Sequence, residues 1–98
     1  MRVVMMMRWD GVTPEEYDQV RGAVGWESDV PRGAVLHLAC FDRSGMSVTD
    51  LWESAEDFQA FVDQRLMPKV KEAGISGEPE VQVTPLHALF APAFERTG

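Results

Sequence analysis

The chain has 98 residues, enough for one domain spanning residues 1–98, and a formal charge of −7 with scattered basic residues. That charge argues against a nucleic-acid partner, which clustered Lys and Arg would recognise. The single cysteine, Cys40, excludes an internal disulfide and a multi-thiolate metal site. The apolar run Val3–Met7 is too short for a signal-peptide core or a membrane span, so the expectation is a cytoplasmic chain without a membrane partner.

Arg2–Trp9 is apolar at both parities and predicts a strand buried on both sides. Gly11 ends it. Thr13-Pro14-Glu15-Glu16 is a complete helix start, with a Thr cap, Pro at the first helical position and Glu three residues after the cap. Tyr17, Val20 and Val24 make the inward stripe, and Gly25 is the expected left-handed stop. Trp26–Gly33 reads as a loop. Ala34–Phe41 is a second strand, in which Cys40 is expected to act as a small buried hydrophobe. Asp42-Arg43-Ser44-Gly45 then turns the chain into a third strand.

In that third strand Met46, Val48, Asp50 and Trp52 share one face. The period changes from 2 to 3.6 at Ser54, whose hydroxyl is placed to cap a helix at the N–H of Asp57 or its neighbour. Phe58, Phe61, Val62 and Leu66 form the stripe of that helix. Pro68 lies inside its pattern and predicts a kink or a break just before it, with Gly74 as the end. Val81–Phe90 reads as a last strand, at an edge or with a bulge because of Pro85, and Ala91–Gly98 as a short, loosely ordered tail.

The order strand-helix-strand-strand-helix-strand predicts an α+β fold, the ferredoxin-like βαββαβ arrangement. In it, a four-stranded antiparallel sheet carries both helices on one face, and the first and third strands are central. The other face cannot be polar, because every strand carries apolar residues at both parities. Covering it with a second copy predicts a homodimer.

The string Trp52-Glu53-Ser54-x-x-x-Phe58-x-x-Phe61, after an apolar strand, resembles the dimeric α+β barrel superfamily, in particular its antibiotic-biosynthesis-monooxygenase-like branch. The resemblance spans roughly Arg2–Pro92. It implies a dimeric α/β barrel with a pocket between sheet and helices in each subunit. The superfamily includes cofactor-free oxygenases of polycyclic aromatic substrates, polyketide cyclases, haem-degrading enzymes and proteins with no known reaction. The haem-degrading branch has an axial His on the second helix and an Asn on the first strand. This chain has neither, so no cofactor is expected.

Candidate site residues are few. Of the two histidines, His37 has a feature that His87 lacks. If the hairpin loop has an even number of residues, His37 shares a face with Asp50 and Trp52. A four-residue loop puts His37 opposite Asp50, and a two-residue loop puts it opposite Trp52 and diagonal to Asp50. An odd loop puts them on opposite faces. An Asp beside a His can fix its tautomer and raise its basicity, as a general base requires. His37 as acid/base and Asp50 as its orienter are therefore the catalytic candidates. Trp52 and Tyr17 are the candidates for contacting a small aromatic ligand, and the Tyr17 hydroxyl needs a partner such as a ligand oxygen or His37. His87, expected in the last strand roughly 14 Å from the strand of His37, cannot pair with it directly within one subunit, but an extended ligand could touch both. No metal-ligand spacing, nucleophile elbow or phosphate loop is present. Two readings stay open: a catalyst, if a cavity opens onto His37 and Asp50, or a binding or assembly module, if Met and Phe fill that space.

Overall fold

A computed structural model describes residues 1–95. Its elements are β1 (Val3–Asp10), α1 (Pro14–Val24), β2 (Ala34–Asp42), β3 (Gly45–Trp52), α2 (Ala55–Phe61), α3 (Met67–Glu72), β4 (Glu80–Pro85) and a single turn, α4 (Pro92–Glu95). The four strands form one antiparallel sheet in the order β2-β3-β1-β4, with β1 and β3 central. This is the ferredoxin-like α+β arrangement. The expected tail becomes α4 over residues 92–95, and residues 96–98 lie outside the described residues. No helix among the described residues is long and apolar enough to cross a membrane.

Local chemistry sets the helix boundaries. At α1 the Glu16 N–H donates to Thr13 Oγ1 at 3.1 Å and the Thr13 N–H donates to Glu16 Oε1 at 3.0 Å, a reciprocal capping box. Gly25, at φ 66°, ends the helix in the left-handed region that costs glycine little. Ser54 accepts from the Asp57 N–H at 3.1 Å and starts α2.

At Pro68 the helix does not break. Residues Val62–Leu66 widen into a π-helical turn between α2 and α3, and the Met67 N–H reaches back to Val62 O. Proline has no N–H, and its ring excludes the carbonyl four residues earlier. Widening by one residue relieves that clash within a continuous rod.

The core lies between the helices and one sheet face. Val3, Met5 and Trp9 of β1 and Met46, Val48 and Trp52 of β3 meet Val20 and Val24 of α1, Phe58 and Phe61 of α2, and Val70 of α3. Burying a side chain such as Phe58 or Phe61 contributes roughly 1.5–3 kcal/mol.

The opposite face is less covered. Met6 is 54% exposed and Leu38 51%. Cys40 is exposed, not the buried hydrophobe expected. The reason is its position: it alternates with inward-facing Ala39 and Phe41 on an edge strand, on the face that no helix covers. Arg8, also on that face, is fully engaged. Its guanidinium donates to both Asp42 oxygens, at 2.8 and 3.0 Å, and to Asp10, Ser44 and Ser47.

Candidate functional site

The third strand supplies one side of the site. Asp50 and Trp52 lie two residues apart on the inner face, and the Trp52 indole N–H donates to Asp50 Oδ2 at 3.1 Å. Asp50 is the only buried charged residue in the described core, at 7% exposure. A carboxylate at that depth requires donors.

The second donor comes from β2. The hairpin loop is two residues, Arg43-Ser44, with Asp42 opposite Gly45. His37 nevertheless lies directly opposite Asp50, not Trp52. The turn is centred between Arg43 and Ser44, the same centre that a four-residue Asp42–Gly45 loop has, and the centre sets the register. A bulge between Ala34 and Leu36 then lets both Ala34 and His37 face inward.

These placements make a continuous chain of hydrogen bonds. His37 Nδ1 lies 2.6 Å from Asp50 Oδ1, and His37 Nε2 lies 2.8 Å from the Tyr17 hydroxyl on α1. An ionised carboxylate only accepts, so Nδ1 carries the proton and donates it to Asp50. With the imidazole neutral, Nε2 is an acceptor, and the Tyr17 O–H donates to it. The order is Trp52–Asp50–His37–Tyr17. Burial pushes the Tyr17 phenol above its ordinary value; the Arg21 charge pulls it down, and Asp50, Asp18 and Glu27 push it up. Tyr17 therefore stays protonated at neutral pH and available as a donor.

The residues of this chain of bonds line a cavity of about 300 Å³ between the sheet and the helices. Met5, Met7, Val48, Phe58, Phe61 and Leu66 wall the rest of it. Among the described residues no Lys or Arg lines the cavity, and the polar lining is confined to Tyr17, Glu27, His37 and Asp50. Trp52, 3% exposed, forms part of the wall and packs against Phe58 and Phe61 at 5.6 and 5.5 Å. No cluster of three or more His, Cys, Asp or Glu residues suited to a metal occurs among the described residues.

The structure thus gathers four of the five sequence candidates, His37, Asp50, Trp52 and Tyr17. His87 stands apart. The last strand ends at Pro85, short of the expected Phe90, and its pairing with β1 finishes at Val3. His87 follows it, exposed and outside the cavity lining.

Trp26 was not singled out by the sequence pattern. Its ring sits 4.7 Å from His37, 6.1 Å from Tyr17 and 6.2 Å from Phe61, roofing the Tyr17–His37 bond. Arg65, presented by the π-helical turn, holds that loop by donating to Val24 O at 3.1 Å and Asp29 O at 2.7 Å. The available signal was a large aromatic directly after a helix-ending glycine, in an otherwise polar stretch.

No protein-family model and no curated protein matches the chain. Solved structures do match. One is SnoaB, a cofactor-independent oxygenase from Streptomyces nogalater: 15% identity, TM-score 0.67, covering 90% of this chain and 95% of that one. A protein of unknown function from Nitrosomonas europaea is 17% identical, with TM-score 0.69 over 93% and 94% of the two chains. A hydroxynitrile lyase from Passiflora edulis is 12% identical, with TM-score 0.61 over 92% and 97%. Identities this low speak to architecture and not to activity. The chain has the fold of the antibiotic-biosynthesis-monooxygenase-like proteins, as the string around Trp52 and Ser54 led one to expect.

Proposed function

We propose that this chain is a single-domain, cytoplasmic, homodimeric enzyme that removes a proton from a flat, neutral aromatic or polyketide-like molecule, as the first step of a cofactor-free oxygenation. The observation that carries the reading is the Asp50–His37–Tyr17 relay in the lining of a largely apolar cavity. The cavity's lining without cations favours an uncharged ligand over a carboxylate or a phosphate ester. An open space beside His37 and Asp50 favours catalysis over a filled, structural interior.

The Tyr17 oxygen accepts a proton from an acidic C–H or O–H of the ligand as its own proton passes to His37 Nε2. Asp50 holds the resulting imidazolium, and Trp52 holds Asp50. The ligand carbanion then reduces dioxygen. A C–O bond forms, the proton returns to give a hydroperoxide, and loss of water leaves a carbonyl. For a methylene the balance is CH₂ + O₂ → C=O + H₂O, with no electrons needed beyond the ligand's own. Cyclisation of a polyketide-like ligand shares the proton abstraction and differs in consuming no dioxygen.

The test is dioxygen uptake with anthrone, a neutral tricyclic ketone with an acidic methylene. His37→Ala should lower turnover on the order of 10²–10⁴-fold while the fold persists. Undiminished turnover in that variant would refute the assignment. The homodimer is supported by the half-exposed Met6 and Leu38 on the uncovered sheet face, and by Phe90 and Phe94 at 86% and 77% exposure. Native mass spectrometry should give twice the 11.0 kDa chain mass. A monomer at micromolar concentration would refute this part.

A further inference from the structure

The Tyr17–His37 pair borders two spaces. On its inner side is the apolar cavity; on its outer side is a shallow cleft lined by Tyr17, Asp18, Arg21, Trp26, Glu27 and His37. Arg21 follows Tyr17 by four residues on α1, so the two side chains share one helix face and the same cleft. Its Nε donates to Glu27 Oε1 at 2.5 Å, and Glu27 sits just beyond the left-handed Gly25 stop.

The charged and titratable groups facing Tyr17 come from every element packed around it. Asp18 and Arg21 belong to α1 itself, Glu27 to the following loop, His37 to β2 and Asp50 to β3. Arg21 is the one permanent positive charge among them. Moving a proton from the ligand through Tyr17 to His37 places negative charge at the ligand atom that meets the Tyr17 oxygen. Every carboxylate in the group opposes that charge; the imidazolium formed at His37 and the guanidinium of Arg21 favour it, and of the two only Arg21 is charged before the proton moves.

We propose that Arg21 is the electrostatic positioning residue of this site, with Glu27 holding the guanidinium beside Tyr17 so that it stabilises the anion developing at the phenol oxygen and at the ligand atom it touches. The inference rests on the relay reading above but is testable without turnover. Burial raises the Tyr17 phenol, and the Arg21 charge pulls it down.

Tyr17 is the only tyrosine in the chain, so tyrosinate difference absorbance on alkaline titration reads this one group. Circular dichroism at each pH keeps the reading to folded protein. Arg21→Met, which keeps the alkyl stem and removes the charge, should move the Tyr17 midpoint up by about half a pH unit at low salt, with the shift shrinking in high salt. Arg21→Lys, which keeps the charge, should stay near the parent. With anthrone, Arg21→Met should lower kcat about three- to tenfold and leave KM within about twofold, because the ligand is neutral and the anion forms only during the reaction. A Tyr17 midpoint unmoved in Arg21→Met would overturn the proposal; should that variant fail to fold, an unmoved midpoint in Arg21→Gln would do so. Midpoints that move as stated in a parent protein without anthrone turnover would support the placement of Arg21 while overturning the oxygenase reading.

Discussion

Replacing Asp50 with Asn alters one atom at the best-connected point of the site. The carboxylate accepts from His37 Nδ1 at 2.6 Å and from Trp52 Nε1 at 3.1 Å, and it donates to neither. An Asn amide has one acceptor and one donor end. With its oxygen on His37, its NH₂ faces the Trp52 N–H, and a buried donor goes unmatched at a cost of about 1–3 kcal/mol. With its oxygen on Trp52, its NH₂ faces His37 Nδ1, and the imidazole answers by moving its proton to Nε2. That second arrangement sets no donor against a donor, so it is the one expected.

The consequence is a protein nearly as stable as the parent with its relay reversed. Nε2–H then donates to Tyr17, and the phenol has no base to receive its proton. Turnover should fall on the order of 10²–10⁴-fold, the contribution of a positioned general base, while stability changes by about 1 kcal/mol. Dioxygen uptake measures the first quantity and urea unfolding the second. Nitrogen NMR of the two histidines reports the tautomer directly, with exposed His87 as the internal reference. An Asp50→Asn protein with parental turnover, or one in which His37 keeps its Nδ1 proton, would refute the reasoning.

Tyr17 also predicts a pH dependence of stability. Its folded value is raised, so the folded chain holds the proton more tightly than the unfolded chain; stability is full below about pH 10 and falls as pH rises through the folded value. Tyr17→Phe should flatten that alkaline loss in urea melts, and an unchanged slope would contradict it. At the other end of the scale, Arg8 and the Ser44 N–H hold Asp42 well below the usual carboxylate range. The stability this supplies is present above about pH 4 and drains away as pH falls, so Asp42→Asn should shallow the acid limb of the unfolding profile, more visibly at low salt. Gly33, at φ 85°, has Asp57 where a side chain would begin, so Gly33→Ala should destabilise the fold by about 1–3 kcal/mol. A thermal midpoint equal to the parent's would count against that packing.

Much of the fold was legible because its signals are local. Thr13 and Glu16, Ser54 and Gly25 each act within one helical turn, and each does what its position suggests. The alternation Met46, Val48, Asp50, Trp52 likewise defines a face without reference to any other strand. Pro68 announced a disturbance, but its form was decided by packing: the segment is held against α1, with Arg65 bonded to Val24 O, and a π-helical turn keeps the rod continuous where an isolated helix could stop.

The site was legible only in part, because its members are joined across distances the chain pattern does not encode. That His37 and Asp50 could share a face followed from strand parity; that they are opposed depended on where the turn is centred. The third link, Tyr17 to His37, required α1 to lie over β2 at one depth. Trp26 became a roof only once the loop was pinned from another helix. His87 illustrates the reverse error: apolar neighbours extended the predicted strand past Pro85, whereas the ladder with β1 ends at the Val3–Pro85 pair and one further bond, Leu86 N–H to Arg2 O at 2.9 Å.

The sequence by itself determined the order of elements, their caps and the apolar faces, because backbone preference and side-chain period act within a few residues. Tertiary structure alone decided the register of His37 on Asp50, the junction of Tyr17 with that pair, and the open cavity beside them. Hydrogen bonds of 2.6–3.1 Å demand that three elements be set against one another to within a fraction of an ångström. Only the packed core, which holds the helices at one height above the sheet, supplies that precision.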